Sequence, residues 1–104
     1  MNKQVIEMDI VAKTVVEVIH AAFEDKDQPR TVAFVLVDAT LEDRVNLETA
    51  YELTNNIDRP WVQNKRVLYM GGGEGCRSTS MGDYAVINGR KYECVTFGWD
   101  SVES

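Results

Sequence analysis

The sequence predicts an α+β domain: a small antiparallel sheet with one or two helices packed on one face and a C-terminal β-hairpin. Three observations predict it. "TVAFVLVD", residues 31–38, is a continuous apolar run of strand length, rich in β-branched residues. "DYAVI" and "KYECVTF" are strand-like runs joined across Asn88 and Gly89, whose tolerance of positive φ suits a tight hairpin turn. "VAKTVVEVIHAAFEDKD" and "NLETAYELTNN" repeat their apolar residues at helical intervals.

In chain order, "QVIEMDI" alternates Ile6, Met8 and Ile10 and reads as a short strand. Val11, Val15, Val18, Ile19, Ala22 and Phe23 then follow helical spacing, with Lys13 and Glu17 four residues apart on the polar side, so a helix is expected. Valine and isoleucine lose side-chain freedom in helices and favour strands, which keeps an extended Val11–Ile19 open as the alternative. "EDKDQPR" is polar, proline-punctuated loop, and residues 31–38 read as a central strand buried on both faces. In the second helix Leu47, Ala50, Tyr51 and Thr54 share a face, Asn46 is the expected N-cap, and Asn55 or Asn56 the left-handed stop. "IDRPWVQNK" is a loop whose Trp61 either folds onto the core or stays exposed as an anchor, and "RVLYM" is a further strand.

Size and composition bound the function. With 104 residues, 44% hydrophobic and 27% charged, the chain reads as one ordinary globular domain spanning 1–104. At this length about two-thirds of the unfolded surface is buried, enough for one core without metal or disulfide staples. The formal charge of −6 argues against direct nucleic-acid binding, which relies on clustered Lys and Arg, and the pairs Lys65–Arg66 and Arg90–Lys91 are too short to form a stripe. An acidic surface instead suits a basic groove on another protein, where it imitates phosphate charge, or it serves solubility alone. Two cysteines, Cys76 and Cys94, without an apolar N-terminal run and cleavage site, point to a reducing compartment. No run approaches the ~18 apolar residues of a membrane span, so no membrane partner is expected and the cytoplasm is the default location.

The stretch "GGGEGCRSTSMGD", residues 71–83, is where chemistry would sit if the chain carries any. Its glycines allow close approach to a ligand, and successive N–H groups can cradle an anion. It lacks the lysine, the spacing and the following helix of a phosphate loop, however, and Asp83 leads into a strand. A nucleophile at Cys76, Ser78, Thr79 or Ser80 would need a base, and the one histidine, His20, lies on the polar side of the first expected helix beside Glu17. Two cysteines eighteen residues apart match no tetrahedral metal spacing, and Asp38, Glu42 and Asp43 lack the calcium-loop pattern, so neither metal nor cofactor is expected. Cys94 alternates with apolar neighbours as a small core residue. Recognition remains: Arg77 offers a charged fork, Ser78, Thr79, Ser80 and Asp83 polar groups, and Trp61 and Trp99 the amphipathic rings that anchor interfaces when exposed. The alternative is that both tryptophans close the core and the hydroxyls satisfy turns.

"CRSTSMGDYAVINGRKYECVTFGWDSV" resembles the C-terminal pattern of YodL-like domains, small uncharacterised domains of phages, plasmids and integrative elements. The similar features are Ser78 to Asp83 entering a strand, Tyr92 in the next strand, and Phe97-Gly98-Trp99 closing it. "LETAYELTNNIDRPW" is similar to the helix and loop upstream, so the resemblance covers roughly residues 31–102 and leaves 1–30 as an N-terminal extension. It implies a mobile-element setting and brings no reaction or catalytic residue with it. The expected function is therefore an accessory protein that binds a host or element-encoded protein, as an inhibitor of a nucleic-acid-binding partner. A small enzyme using the loop of residues 71–83 and a structural or assembly component stand as alternatives.

Overall fold

A computed structural model describes residues 12–23, 28–57, 59–73 and 75–102. Among them are six strands and one α-helix: β1 (Lys13–His20), β2 (Arg30–Asp38), α1 (Asp43–Leu53), β3 (Val67–Tyr69), β4 (Tyr84–Ile87), β5 (Arg90–Val95) and β6 (Gly98–Ser101). The strands form one antiparallel sheet in the order β3-β2-β1-β4-β5-β6. The strand expected over Ile6–Ile10 lies outside the described residues.

The first expected helix is instead β1, hydrogen-bonded to β2 on one side and β4 on the other. Its apolar residues satisfy both a helical and an alternating period, and the β-branched Thr14, Val15, Val16, Val18 and Ile19 settle the choice for strand. Val16, Val18 and His20 point into the core, whereas Val15, assigned to the buried helical face, is exposed. Opposite Val18 and Ile19 the register slips by one, because Ala33 and Thr31 are their partners and Val32 is the extra residue of a β-bulge. Val32 and Ala33 are consequently both buried.

β2 is sealed on one face only. Val35 and Val37 are buried, but Leu36 is exposed and Phe34 half-buried, which corrects the expectation of a strand covered on both faces. α1 packs Leu47 and Ala50 against Val16, Val18, Val35 and Ile87 on the core side. Tyr51, expected on that buried face, is exposed. Asn46 is not the cap: Glu42 occupies that position, while Asn46 is buried within the helix and its Nδ2 donates to the Asp38 carbonyl at 2.8 Å. The helix stops at Thr54 without a left-handed asparagine, since among described non-glycine residues only Phe23 and Asn88 have positive φ. Arg90 and Tyr92 clamp Asp43, in the first turn of α1, to β5, with Arg90 Nε 2.6 Å from its carboxylate. That clamp holds the Asp43 carboxyl below the usual range, through the Arg90 hydrogen bond first. Arg90 is more than half exposed, so solvent screens the pair and it adds little to stability.

β4 and β5 pair across Asn88 (φ 51°) and Gly89 (φ 82°), the two successive positive angles of a type I′ turn. The run "KYECVTF" does not remain one strand to Phe97: the chain turns at Thr96–Phe97 and returns as β6, so the C-terminal portion is a three-stranded meander. The loop around Trp61 is a single 3-10 turn, Trp61–Gln63, that drives Trp61 into the core, where it is 2% exposed. Its ring meets Tyr69 edge-on at 5.4 Å.

Candidate functional site

The segment from residue 71 to 83 runs from β3 to β4 across the end of the sheet where β1 finishes. Its shape is set from both ends. At Gly71 a Cβ would overlap the Tyr69 ring as it lies, so a larger residue there would require the Tyr69 side chain to move. The Tyr69 hydroxyl then donates to the Gly75 carbonyl at 3.2 Å. At the far end Asp83 is fully buried and its carboxylate is enclosed by donors. Oδ1 accepts from the Ala21 and Ala22 N–H groups at 2.8 and 2.9 Å, Oδ2 accepts from Ser80 N–H at 2.8 Å, and the Arg77 guanidinium bonds both oxygens at 3.0 and 2.8 Å. Burial opposes ionisation, but the Arg77 fork and the three N–H bonds outweigh it, and the carboxyl is held below its ordinary value.

Between these ends a chain of hydroxyls reaches His20. Thr54 Oγ1 donates to the Ala50 carbonyl at 2.8 Å, which uses its one proton. Thr54 therefore accepts from Thr79 Oγ1, 2.8 Å away, and Thr79 in turn accepts from His20 Nε2 at 3.1 Å. The polarity of this chain assigns the neutral imidazole proton to Nε2 and leaves Nδ1 with a lone pair. Nδ1 faces Cys76 Sγ at 3.8 Å. Asp83 Oδ2 stands 3.8 Å from Nε2, on the far side of the ring.

The residues expected to bind separate accordingly. Arg77, Ser78, Thr79, Ser80 and Asp83 come together, but mainly to organise the segment itself. Arg77 grips Asp83 and stacks 5.3 Å over the Phe23 ring; Ser78 Oγ accepts from Asn56 N–H; Thr79 and Asp83 are buried. Trp61 is a core residue beneath them, its Nε1 donating to the Arg77 carbonyl at 2.8 Å. Trp99 lies elsewhere, half-buried on β6 opposite Cys94. Cys94 is 3% exposed, and burial pushes its thiol up to about 11.

Sequence reasoning placed His20 on a polar helical face and Thr54 on a helix face, without the link between them. His20 is not on a polar helical face; it is 1% exposed and continues the Val16, Val18 alternation into the core. That two-residue period was the signal that would have found it. Beside it opens a cleft of about 480 Å³ between the glycine segment and the adjoining ends of β1 and β2, with Cys76, His20 and Tyr69 in its walls.

A second surface lies on the other side of the sheet. The pairings Val15 with Leu36, Phe34 with Leu68 and Phe34 with Glu17, and Glu17 with Val86, place apolar side chains of four strands on the face away from α1, with the Glu17 carboxylate among them. Val15, Leu36 and Leu68 there are 44, 42 and 63% exposed. Among the described residues no group of His, Cys, Asp and Glu is arranged to hold a metal ion, and no helix is long and apolar enough to cross a membrane. No family model matches the chain, and neither a curated protein nor a solved structure is similar to it.

Proposed function

We propose that the chain is a small acidic accessory protein of a phage or mobile element that acts by binding a host or element-encoded protein. The observation that carries this reading is the apolar face of β3, β2, β1 and β4, centred on Val15, Leu36, Phe34 and Leu68. An apolar surface of this kind within a molecule of charge −6 suits a partner with a hydrophobic patch bordered by basic groups, as a nucleic-acid-binding groove provides. The resemblance of residues 31–102 to YodL-like domains supports the mobile-element setting. The partner is then a protein that binds nucleic acid, and the acidic surface competes with phosphate for its groove.

The test is affinity capture from host-cell extract with the native protein and with a Leu36→Asp, Leu68→Asp variant, both exposed positions that leave the core intact. The reading expects a captured protein that the variant loses and that free DNA displaces. Capture that is unchanged by the variant overturns the sheet face as the contact surface, and capture indifferent to DNA overturns competition for a phosphate-binding groove.

A further inference from the structure

Cys76 packs partly buried against the core cluster and also reaches the cleft beside His20. Arg77, Thr79 and Asp83 account for the shape of residues 76–83, while the Cys76 thiol, half-buried, borders the 480 Å³ cleft with its sulfur against His20 Nδ1. The requirement that a nucleophile have a base in reach, unmet in the linear sequence, is met here by two elements 56 positions apart.

The geometry fixes more than proximity. Because Thr54 must donate to Ala50, and Thr79 to Thr54, Thr79 takes the Nε2 proton of His20 and the basic nitrogen is the one turned to sulfur. His20 is also held rigidly: it is 1% exposed and its ring lies edge-on to Trp61 at 6.4 Å. A proton passed from Cys76 to Nδ1 makes an imidazolium whose Nε2 side faces the Asp83 carboxylate at 3.8 Å, so the charge forms beside an anion already in place. Asp83 is matched by Arg77, so at 3.8 Å it acts on His20 through charge and does not accept the proton.

We propose that Cys76 is a nucleophile with His20 as its base, and that the cleft takes small acyl donors, esters or thioesters. The sulfur forms a bond to the acyl carbon as the donor's bond to its alcohol or thiol breaks. The thiol proton passes to His20 Nδ1 and from there to the departing oxygen or sulfur. Water then attacks the acyl-cysteine, giving its proton to Nδ1, and the acid leaves as the thiol is restored. No electrons change hands. A disulfide cycle is disfavoured because the second cysteine, Cys94, is sealed on β5. The cleft lies at the adjoining ends of β1 and β2, and none of Val15, Phe34, Leu36 and Leu68 of the proposed contact face lines it.

The test uses the full chain. Iodoacetamide at neutral pH, followed by intact mass and peptide mapping, is expected to add one carboxamidomethyl group, at Cys76, at least about tenfold faster than it modifies glutathione. With p-nitrophenyl acetate the protein is expected to release nitrophenolate and gain an acetyl group on Cys76, and Cys76→Ser to do neither. His20→Gln is expected to slow both reactions at least about tenfold, as loss of a general base does. Thr79→Val, which removes a positioning residue, is expected to alter the pH profile of alkylation while Cys76 remains accessible. A wild-type thiol no faster than glutathione overturns the proposal, and so does fast alkylation without an acetyl adduct. Thermal melting checks that each variant folds; if His20→Gln unfolds, the wild-type rate and the acetyl adduct decide alone.

Discussion

Asp83 shows how one side chain can determine the shape of a dozen residues. It collects the end of β1, the Arg77 guanidinium and the Ser80 turn around one buried carboxylate, and each donor lies within 3.0 Å. Asp83→Asn turns an amide NH2 toward N–H donors and strands Arg77, a loss expected to cost about 3 kcal/mol by chemical denaturation. The same carboxylate gives a pH dependence of known sign. Its folded pKa is depressed, so its contribution is complete above the unfolded value of about 3.9 and is lost as the pH falls through the folded value. Acid titration of stability should therefore be steeper below about pH 4 in the native protein than in Asp83→Asn. Asp83 was legible as a polar member of the segment; that it was the buried hub was not, because its donors Ala21 and Ala22 are backbone groups sixty residues away that carry no sequence signal.

At the scale of elements, β1 was the ambiguous one, and hydrogen exchange tests its place. A strand bonded on both sides should hold the slowest amides of the molecule, whereas β3 and β6, bonded on one side, should exchange by smaller openings. Uniform protection across the sheet, or early exchange of Val16 and Val18, would contradict the order described. The turn between β4 and β5 makes a sharper demand. Gly89 has φ 82°, and Gly89→Val places a β-branched side chain in that region at a cost of about 1–3 kcal/mol, measured as a lowered denaturation midpoint. Asn88, at φ 51°, is a residue that tolerates the left-handed region, which is why the pair was readable from sequence.

At the scale of the whole sheet, the described residues leave one face covered and the other exposing Val15, Leu36 and Leu68 around Glu17, between edge strands of only three and four residues that offer little template for pairing with another chain. Binding through the open face should therefore survive high salt in its apolar part and lose its charge-steered part. Raising salt from 50 to 500 mM is expected to slow association with a basic partner at least about tenfold while dissociation changes little, as surface plasmon resonance would read it. Composition, charge, the 31–38 strand, the helix around Leu47 and Ala50 and the Asn88-Gly89 turn were determined by the sequence itself, because each rests on propensity or periodicity among neighbours in the chain. The identity of β1, the one-sided burial of β2 and the meeting of His20 with Cys76 and Thr79 were decided by the tertiary structure alone. The β1–β4 pairing and the contacts of His20 with Thr79 and Cys76 join residues more than fifty positions apart, and no local spacing specifies which groups the fold will bring to the same few ångströms.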